Sequence, residues 1–330
     1  MRALEIIQTL EAMVAQKIPA FVWGAPGIGK SSIVKQIATK NSLDFIDLRL
    51  SLLDPTDLKG IPFYDAATHR ALWAPPAFLP TSGKGILFLD ELNSAPPAVQ
   101  ASAYQLILDR QIGEYILPEG WAIIAAGNRE NDRGVVYKMP SPLANRFVHL
   151  QMQVNVEDWR AWAFTCKIDK RIIGYISYKK EDLFNFDASQ SQKSFATPRS
   201  WEFVDAILKS DMQESLLLNA IAGAIGKDLA VNFLSFAKVM HRLPDIEKIL
   251  STGKGEYPEA VDVLYALSAG LVSHFLYEPS PERLEALLGY VLELQSEFSV
   301  MVVQDLQRSG ITMEQSPLFA QWVQKFAYLL

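Results

Sequence analysis

The sequence is poor in cysteine and histidine, with one cysteine, Cys166, and four scattered histidines in 330 residues. A single thiol cannot form an intramolecular disulfide or a cysteine-based zinc cluster. The histidines also lack the spacing of a zinc site such as H-E-x-x-H. We therefore expect a cytoplasmic protein, kept in a reducing compartment, without a zinc site.

Long apolar runs are absent as well. No stretch approaches the roughly 18 unbroken apolar residues of a membrane span. The N-terminal segment carries acids at Glu5 and Glu11, which is not typical of a secretory signal peptide. We expect no membrane-spanning segment.

The chain has no excess of basic residues. Lysine and arginine number 31 against 37 aspartates and glutamates, which gives a net charge of −6. Because binding to DNA without sequence preference requires clustered cations, this balance argues against nucleic acid as the main partner. Hydrophobic residues make up 49% of the chain, which is enough for a packed core. At about 150 residues per domain, the 330 residues suggest about two domains.

The first half alternates short apolar runs with helical stretches, which is typical of a parallel sheet covered by helices. The runs are nearly continuous, as in strands that are buried on both faces. We predict an α/β fold with five parallel strands, at 20–23, 45–48, 86–89, 122–126 and 147–151. Helices are predicted at 4–15, 29–39 and 98–108, and a hairpin within 111–121.

After about residue 154 the pattern changes. Apolar residues then recur at three- and four-residue spacing, as in Trp201, Val204 and Ile207, which indicates helices. We predict that the second half is mostly helical, with a polar loop at 187–193.

A phosphate-binding loop follows the first predicted strand. Residues 24–31 read GAPGIGKS, a full match to G-x-x-x-x-G-K-[ST]. In such a loop glycines let backbone amides converge on phosphate oxygens, and the next helix adds its positive end. Lys30 would reach the β- and γ-phosphates and Ser31 would bind Mg²⁺. We assign nucleotide contacts to Gly24, Ala25, Pro26, Gly27, Ile28, Gly29, Lys30, Ser31 and Ser32.

Two carboxylates end the third predicted strand, in ILFLDE at 86–91. In a nucleotide hydrolase Asp90 would hold Mg²⁺ through water, and Glu91 would polarise the attacking water. Taken alone, the same letters also describe a strand that runs into an acidic helix cap. The phosphate loop upstream favours the catalytic interpretation.

Three further polar residues lie where they could reach a nucleotide. Asn128 follows the fourth strand, at the edge where open α/β sheets bind ligands, and could orient water. Arg146, at the start of the fifth strand, could face a neighbouring subunit, and Arg199 opens a helix in the second half. Considered singly, each is better explained without a function: Asn128 as a turn residue, Arg146 as a surface arginine and Arg199 as part of a solvated helix start.

The order GAPGIGKS, FLDE, AAGN, LANRF and ATPRS resembles the AAA+ ATPases, and specifically their MoxR-type branch. LDPTDLKG at 53–60 and the D-E-x-N form at 90–93 are similar to that branch too. The resemblance implies a P-loop αβα sandwich at 1–154, a helical lid at 155–255 and a helical C-terminal extension of that lid at 256–330. It implies the following roles: Lys30 and Ser31 as the Walker A pair, Asp90 and Glu91 as Walker B, Asn128 as sensor 1, Arg146 as an arginine finger acting in trans, and Arg199 as sensor 2.

The same resemblance implies an oligomeric ring, usually a hexamer, with ATP and Mg²⁺ between subunits. Two insertions are expected, a helix-2 insert at 61–80 and a hairpin at 111–118 before sensor 1. Their aromatic residues could contact a partner or pack internally: Tyr64, Trp73 and Tyr115. Arg110 and Arg133 are rival candidates for the trans-acting arginine.

The resulting hypothesis is an ATP hydrolase that remodels, activates or helps assemble a partner protein of the von Willebrand A type. Two alternatives stay open at this point. One is a nucleotide-gated scaffold with negligible turnover, against which the intact Asp90–Glu91 pair argues. The other is an NTPase motor directed at nucleic acid and similar to McrB, against which the acidic charge argues.

Overall fold

A five-stranded parallel sheet forms the centre of the N-terminal half in the computed structural model, which describes residues 1–129, 132, 137–187 and 193–326. Its strand order is β2-β5-β8-β1-β9. The strands, in chain order, are β1 (Ala20–Trp23), β2 (Asp44–Arg49), β3 (Ile61–Asp65), β4 (Arg70–Ala74), β5 (Gly85–Asp90), β6 (Gln111–Ile112), β7 (Tyr115–Ile116), β8 (Trp121–Gly127) and β9 (Val148–Gln151). The five predicted sheet strands are confirmed, each with ends within one residue of the prediction.

Five helices accompany the described strands of this half: α1 (Ala3–Gln16), α2 (Lys30–Lys40), α3 (Pro55–Lys59), α4 (Pro97–Asp109) and α5 (Ser141–Ala144). Pro97 occupies the first turn of α4, where a missing amide proton costs no hydrogen bond. Leu106 of α4 is fully buried, in a core cluster that includes Leu87 of β5 and Ile123 of β8. Burying one such side chain stabilises the fold by roughly 1.5–3 kcal/mol, so α4 is held to the sheet mainly by its apolar face.

Two antiparallel hairpins form separate two-stranded sheets beside the five-stranded sheet. Strands β3 and β4 pair from Ile61↔Ala74 to Asp65↔Arg70, and the short strands β6 and β7 pair through Ile112↔Tyr115. They occupy the two segments that were expected as insertions. The first lies between α3 and β5 rather than inside a helix. At the turn between β6 and β7, Gly113 has a φ of +58°, a conformation that glycine adopts without steric cost.

The second half is helical throughout its described residues. Its helices are α6 (Val156–Thr165), α7 (Lys170–Tyr178), α8 (Pro198–Leu208), α9 (Glu214–Ile225), α10 (Lys227–Ala237), α11 (Ile246–Thr252), α12 (Val261–Tyr277), α13 (Pro281–Val291), α14 (Ser296–Arg308) and α15 (Pro317–Phe326). The division into two compact units falls between Val154 and Asn155. Together with the sheet, this confirms the predicted αβα fold followed by a helical part. The predicted loop at 187–193 lies largely outside the described residues.

A buried ion pair links α6 to α14 within the second unit. Arg160 and Asp305 are 4% and 1% exposed, and Arg160 Nη2 donates a hydrogen bond to Asp305 Oδ2. Burial raises the pKa of Asp305 to about 6, against the opposing effect of the neighbouring guanidinium. Arg160 Nε and Asp305 Oδ1 are also buried, and neither has a hydrogen-bond partner. The pair is therefore incompletely satisfied, which makes its net contribution to stability small or unfavourable.

Over the part of the chain that the structure describes, no helix combines the length and the apolar composition needed to cross a bilayer.

Candidate functional site

The loop between β1 and α2 is shaped by glycine. Gly27 and Gly29 have φ values of +76° and +95°, in the left-handed region that side chains with a Cβ avoid. Gly29 is also the N-terminal cap of α2, which begins at Lys30. The amides of a first helical turn lack intrahelical acceptors and carry the positive end of the helix dipole. The loop and this helix end therefore form a cradle for an anion such as a phosphate.

The ammonium group of Lys30 lies at the centre of this loop. Its Nζ donates hydrogen bonds to the carbonyl oxygens of Gly24 at 2.7 Å and Ala25 at 3.0 Å. It also donates to Asn128 Oδ1 at 3.1 Å. Lys30 and Asn128 are 98 residues apart in the sequence. They meet because β1 and β8 are neighbouring parallel strands whose carboxyl ends share one edge.

Asp90 is the last residue of β5 and is 9% exposed. Burial raises the pKa of its carboxyl above the ordinary value, the charges of Asp47 and Glu91 raise it further, and the Lys30 ammonium opposes them. The Glu91 amide donates a hydrogen bond to Asp90 Oδ1 at 2.9 Å, which favours the charged form. Asp90 is therefore a buried carboxylate within the electrostatic reach of Lys30.

Glu91 adopts a left-handed backbone conformation, with a φ of +55°. This conformation is uncommon for a residue that has a Cβ. Ser51 Oγ donates a hydrogen bond to Glu91 Oε2, and Arg49 Nε lies 3.7 Å from Glu91 Oε1. Both partners come from the end of β2 and the short 3-10 helix that follows it. The Glu91 carboxylate is thus held from one side by a hydroxyl and a guanidinium.

Asn93 connects the end of β5 to the end of β8. It is 1% exposed, and its Nδ2 donates a hydrogen bond to the Asn128 carbonyl oxygen at 2.7 Å. The Asn93 carbonyl oxygen accepts a hydrogen bond from the Tyr137 amide at 2.7 Å. A Cβ on Gly127 would lie 2.0 Å from Asn93 Oδ1, so glycine at 127 is what allows the asparagine to fit there.

Ser31 and Ser32 lie in the first turn of α2, where Ser31 is half-buried and Ser32 is exposed. A hydroxyl and one carboxylate fit Mg²⁺, which prefers oxygen ligands and usually keeps several waters or substrate phosphates. Among the described residues no group of three or more histidine, cysteine, aspartate or glutamate side chains could hold a metal ion. Ser31 and Asp90 offer two oxygen ligands, which would leave the remaining positions around such an ion to water or phosphate oxygens.

The candidate arginines differ in their surroundings. Arg146 is exposed, two residues beyond the end of α5. Arg110 instead donates from Nη2 to the carbonyl oxygens of Pro118 at 2.9 Å and Trp121 at 2.7 Å. Arg110 therefore stabilises the β6–β7 hairpin region of its own chain. Arg133 lies outside the described residues.

Arg199 belongs to the second unit, in the first turn of α8, and its side chain is exposed. Thr197 caps this helix, since its side chain accepts a hydrogen bond from the Ser200 amide. Burial raises the pKa of Glu202 above its ordinary value, and the nearby Arg199 charge opposes this rise.

The aromatic residues of the two insertions differ in their exposure. Tyr64 is 66% exposed on β3, and Trp73 is half-buried on β4. Tyr115 is buried, its hydroxyl donates to the Pro80 carbonyl oxygen at 2.7 Å, and burial raises its pKa to about 12. Of the two alternatives left open for Tyr115, the structure shows internal packing, because its ring lies in the core and its hydroxyl joins the two insertions.

Three residues of this site had no assigned role at the sequence level: Arg49, Ser51 and Asn93. Asn93 stands in the D-E-x-N pattern, so a pattern marked its position but not its bond to Asn128. Arg49 and Ser51 are about 40 residues from Glu91 in the sequence, and only the parallel pairing of β2 with β5, with Arg49 opposite Asp90, brings them there.

Part of the chain is similar to a known protein family. Residues 20–149 match the model of the ATPase family associated with various cellular activities (AAA). This segment of the chain is therefore similar to the AAA-type ATPases. The matched segment runs from β1 to β9 and contains the loop, both carboxylates, Asn128 and Arg146.

Among solved structures, the chain is similar to a mutant of RuvB from Thermotoga maritima. The identity is 20%, over 85% of this chain and 86% of that chain, with a TM-score of 0.39. It is also similar to NtrX from Brucella abortus in complex with ADP, with 14% identity over 94% of this chain and 68% of that chain and a TM-score of 0.39.

Proposed function

We propose that the protein is an AAA+ ATPase of the MoxR-type branch, which hydrolyses ATP to ADP and phosphate. The observation that carries the proposal is the contact of Lys30 with Asn128 at the carboxyl edge of the sheet, beside the buried Asp90. A phosphate loop, a carboxylate pair and an amide meet at one edge, which is where open parallel sheets bind their ligands.

In this proposal the protein supplies mainly positioning and charge. Lys30 and the amides of the loop and of α2 bind the phosphates of ATP. Ser31, and Asp90 through a water molecule, would hold Mg²⁺, which when bound would neutralise phosphate charge. Glu91 accepts a hydrogen bond from the attacking water and takes up its proton, while the Asn128 amide fixes the orientation of that water.

The first test is a Glu91→Gln variant. Glutamine keeps the shape of the side chain but cannot take up a proton, so ATP binding is retained and turnover falls by several orders of magnitude. The measurements are phosphate release and equilibrium binding of a fluorescent ATP analogue. Glu119→Gln, at an exposed position outside the site, is the matched control. Undiminished turnover in Glu91→Gln would remove the assignment.

We further propose that catalysis requires a ring, taken to be a hexamer, in which Arg146 reaches the nucleotide of the neighbouring subunit. The exposed guanidinium of Arg146 supports this, since Arg110 is bonded to its own hairpin. Turnover per subunit then rises with protein concentration, and Arg146→Ala loses turnover while still binding ATP. A specific activity that does not change with dilution contradicts the trans arrangement.

The helical unit is proposed to act as the lid, at 155–255, with its extension at 256–330 and with Arg199 as the residue that senses the γ-phosphate.

The partner is proposed to be a von Willebrand A-type protein in the cytoplasm. The exposed Ile61 and Tyr64 of β3, at 73% and 66%, support the first insertion as its contact surface. Glu91→Gln loaded with ATP should retain the partner in a pull-down, and adding Ile61→Ser and Tyr64→Ser should abolish retention without changing ATP binding.

A further inference from the structure

A histidine joins the strand that precedes the phosphate loop to the helix that precedes Arg146. Trp23 is the last residue of β1, and its indole Nε1 donates a hydrogen bond to His149 Nδ1 at 2.8 Å. His149 Nε2 lies 2.8 Å from the carbonyl oxygen of Ala144, the last residue of α5. These contacts connect β1, β9 and α5 within the first unit.

The two partners determine the form of the imidazole. An indole N–H is only a donor and a carbonyl oxygen is only an acceptor. Nδ1 of His149 must therefore accept, and Nε2 must carry the proton that it donates to Ala144. A neutral histidine protonated at Nε2 satisfies both contacts, and no other side chain of this size and shape offers both functions from one rigid ring.

His149 is exposed, and aromatic rings add to its two hydrogen bonds on the side that faces the protein. The His149 ring lies 5.9 Å from those of both Phe21 and Trp23 and 6.3 Å from that of Phe147, measured between centroids. Phe21 and Phe147 are themselves buried in the core. The imidazole therefore has a defined orientation, and through Ala144 it holds the last turn of α5 at a defined distance from β1.

Arg146 lies two residues after Ala144. Its amide donates to the Leu143 carbonyl oxygen at 3.1 Å, so the Arg146 backbone is hydrogen-bonded to α5. From this geometry we infer that His149 is a positioning residue, which sets the place of Arg146 relative to β1. The inference rests on the proposed role of Arg146 in trans and adds to it that the arginine is effective only when the subunit that offers it has His149 in place.

The test separates the subunit that offers the arginine from the subunit that hydrolyses. Glu91→Gln subunits bind ATP and offer Arg146 but do not hydrolyse. Arg146→Ala subunits can hydrolyse but offer no arginine. Mixing the two should restore phosphate release that neither variant shows alone. His149→Phe, which keeps a ring against Phe21 and Phe147, is then added to one variant at a time.

We expect a loss that depends on the position of the change. In the Glu91→Gln subunit, His149→Phe should reduce the restored turnover by about 10- to 100-fold, the range typical of a catalytic group displaced by about 1 Å. In the Arg146→Ala subunit it should change turnover by less than about twofold, since displacement of an arginine that is already absent has no catalytic effect. ATP binding is measured in both.

A second variant serves if the phenylalanine destabilises the fold. Trp23→Phe in the Glu91→Gln subunit removes the donor to Nδ1 but leaves the imidazole and Ala144 in place. It should lower the restored turnover in the same position-dependent way and by a smaller factor. The Glu91→Gln subunit does not hydrolyse ATP. An effect of Trp23→Phe on the phosphate loop of that subunit therefore does not change the measured turnover, provided that the subunit still binds ATP.

Three results overturn the inference. Equal losses in both positions would assign His149 a general structural role. An undiminished turnover with the altered Glu91→Gln subunit would show that Arg146 does not need it. If the two unaltered variants fail to restore turnover when mixed, the trans role of Arg146 fails before His149 has been changed, and the role of His149 fails with it.

Discussion

The side-chain amide of Asn93 donates a hydrogen bond to the main-chain carbonyl of Asn128, and the side-chain amide of Asn128 in turn accepts one from Lys30. The end of β5, the end of β8 and the start of α2 are therefore connected by two consecutive amides. Through its bond to the Asn128 main chain, Asn93 helps to set the position of the residue whose side chain contacts Lys30.

Replacing Asn93 should test this connection. Asn93→Ala removes the donor to the part-buried Asn128 carbonyl, which should lower the free energy of unfolding by about 1–3 kcal/mol. Turnover should fall about 10-fold or more, because Asn128 loses its anchor. Urea unfolding and phosphate release check the two effects. Asn41→Ala is the control, because Asn41 makes the same kind of bond, Nδ2 to the Ile37 carbonyl at 2.8 Å, at the far end of α2. Equal losses of turnover in both variants would contradict the connection.

Two glycines should respond in opposite directions to alanine. At Gly127 an added Cβ would lie 2.0 Å from Asn93 Oδ1 and 2.8 Å from the Phe21 ring, so Gly127→Ala should destabilise the unit by roughly 1–3 kcal/mol. At Gly223, inside α9, the added Cβ meets nothing within 4 Å. Gly223→Ala should stabilise by about 0.5–1 kcal/mol, because alanine has the higher helix propensity. Urea unfolding measures both, and a stabilised Gly127→Ala would show that Asn93 can move aside freely.

Arg110 and Arg146 should be distinguishable by stability. Arg110→Ala removes the donor of two hydrogen bonds to the Pro118 and Trp121 carbonyls, so it should lower the free energy of unfolding by about 1–3 kcal/mol. Arg146→Ala removes an exposed side chain and should change stability by less than about 0.5 kcal/mol. In the mixing assay, Glu91→Gln subunits that also carry Arg110→Ala should still restore the turnover of Arg146→Ala subunits. If such Glu91→Gln subunits remain folded but do not restore turnover, Arg110 would be identified as the trans-acting residue.

The ion pair of Arg160 and Asp305 predicts a pH dependence of stability. The pKa of Asp305 is about 6 in the folded state, above its ordinary value of 3.8. A raised acid pKa means that the folded state binds the proton more tightly, so this contribution to stability is fully present below about pH 4 and is lost as the pH rises through 6. Arg160→Met removes the opposing charge and should raise the pKa further. We therefore expect a loss of about 3–5 kcal/mol at pH 8 and a smaller loss at pH 5.

The matched control for this prediction is the double variant Arg160→Met with Asp305→Leu. Replacing both charges with apolar groups of similar size leaves no buried charge, and it should recover most of the stability that the single variant loses. Urea unfolding at pH 5 and pH 8 compares the wild type with both variants. A double variant that is less stable than Arg160→Met would show that the pair is strongly favourable.

Local sequence predicted the sheet and the loop because both are encoded within a few residues. Strands such as β5 and β8 are continuous apolar runs that are buried at every position, and the GAPGIGKS loop is a contiguous segment. The contacts that hold Glu91 were not predictable in this way. Ser51 and Arg49 reach it only through strand pairing, and nothing in their neighbours marks them as polar partners. The burial of Tyr115 likewise depends on Pro80, which comes from a different insertion.

The place of β1 in the sheet has a consequence for how the chain folds. β1 begins at Ala20, but its two neighbours are β8, which begins at Trp121, and β9, which begins at Val148. Pairs so distant in sequence require closure of long loops and form slowly. During synthesis the first strand must wait unpaired until more than 100 further residues have left the ribosome. The contact of Lys30 with Asn128, which lies just beyond β8, can therefore form only after β8 has been synthesised.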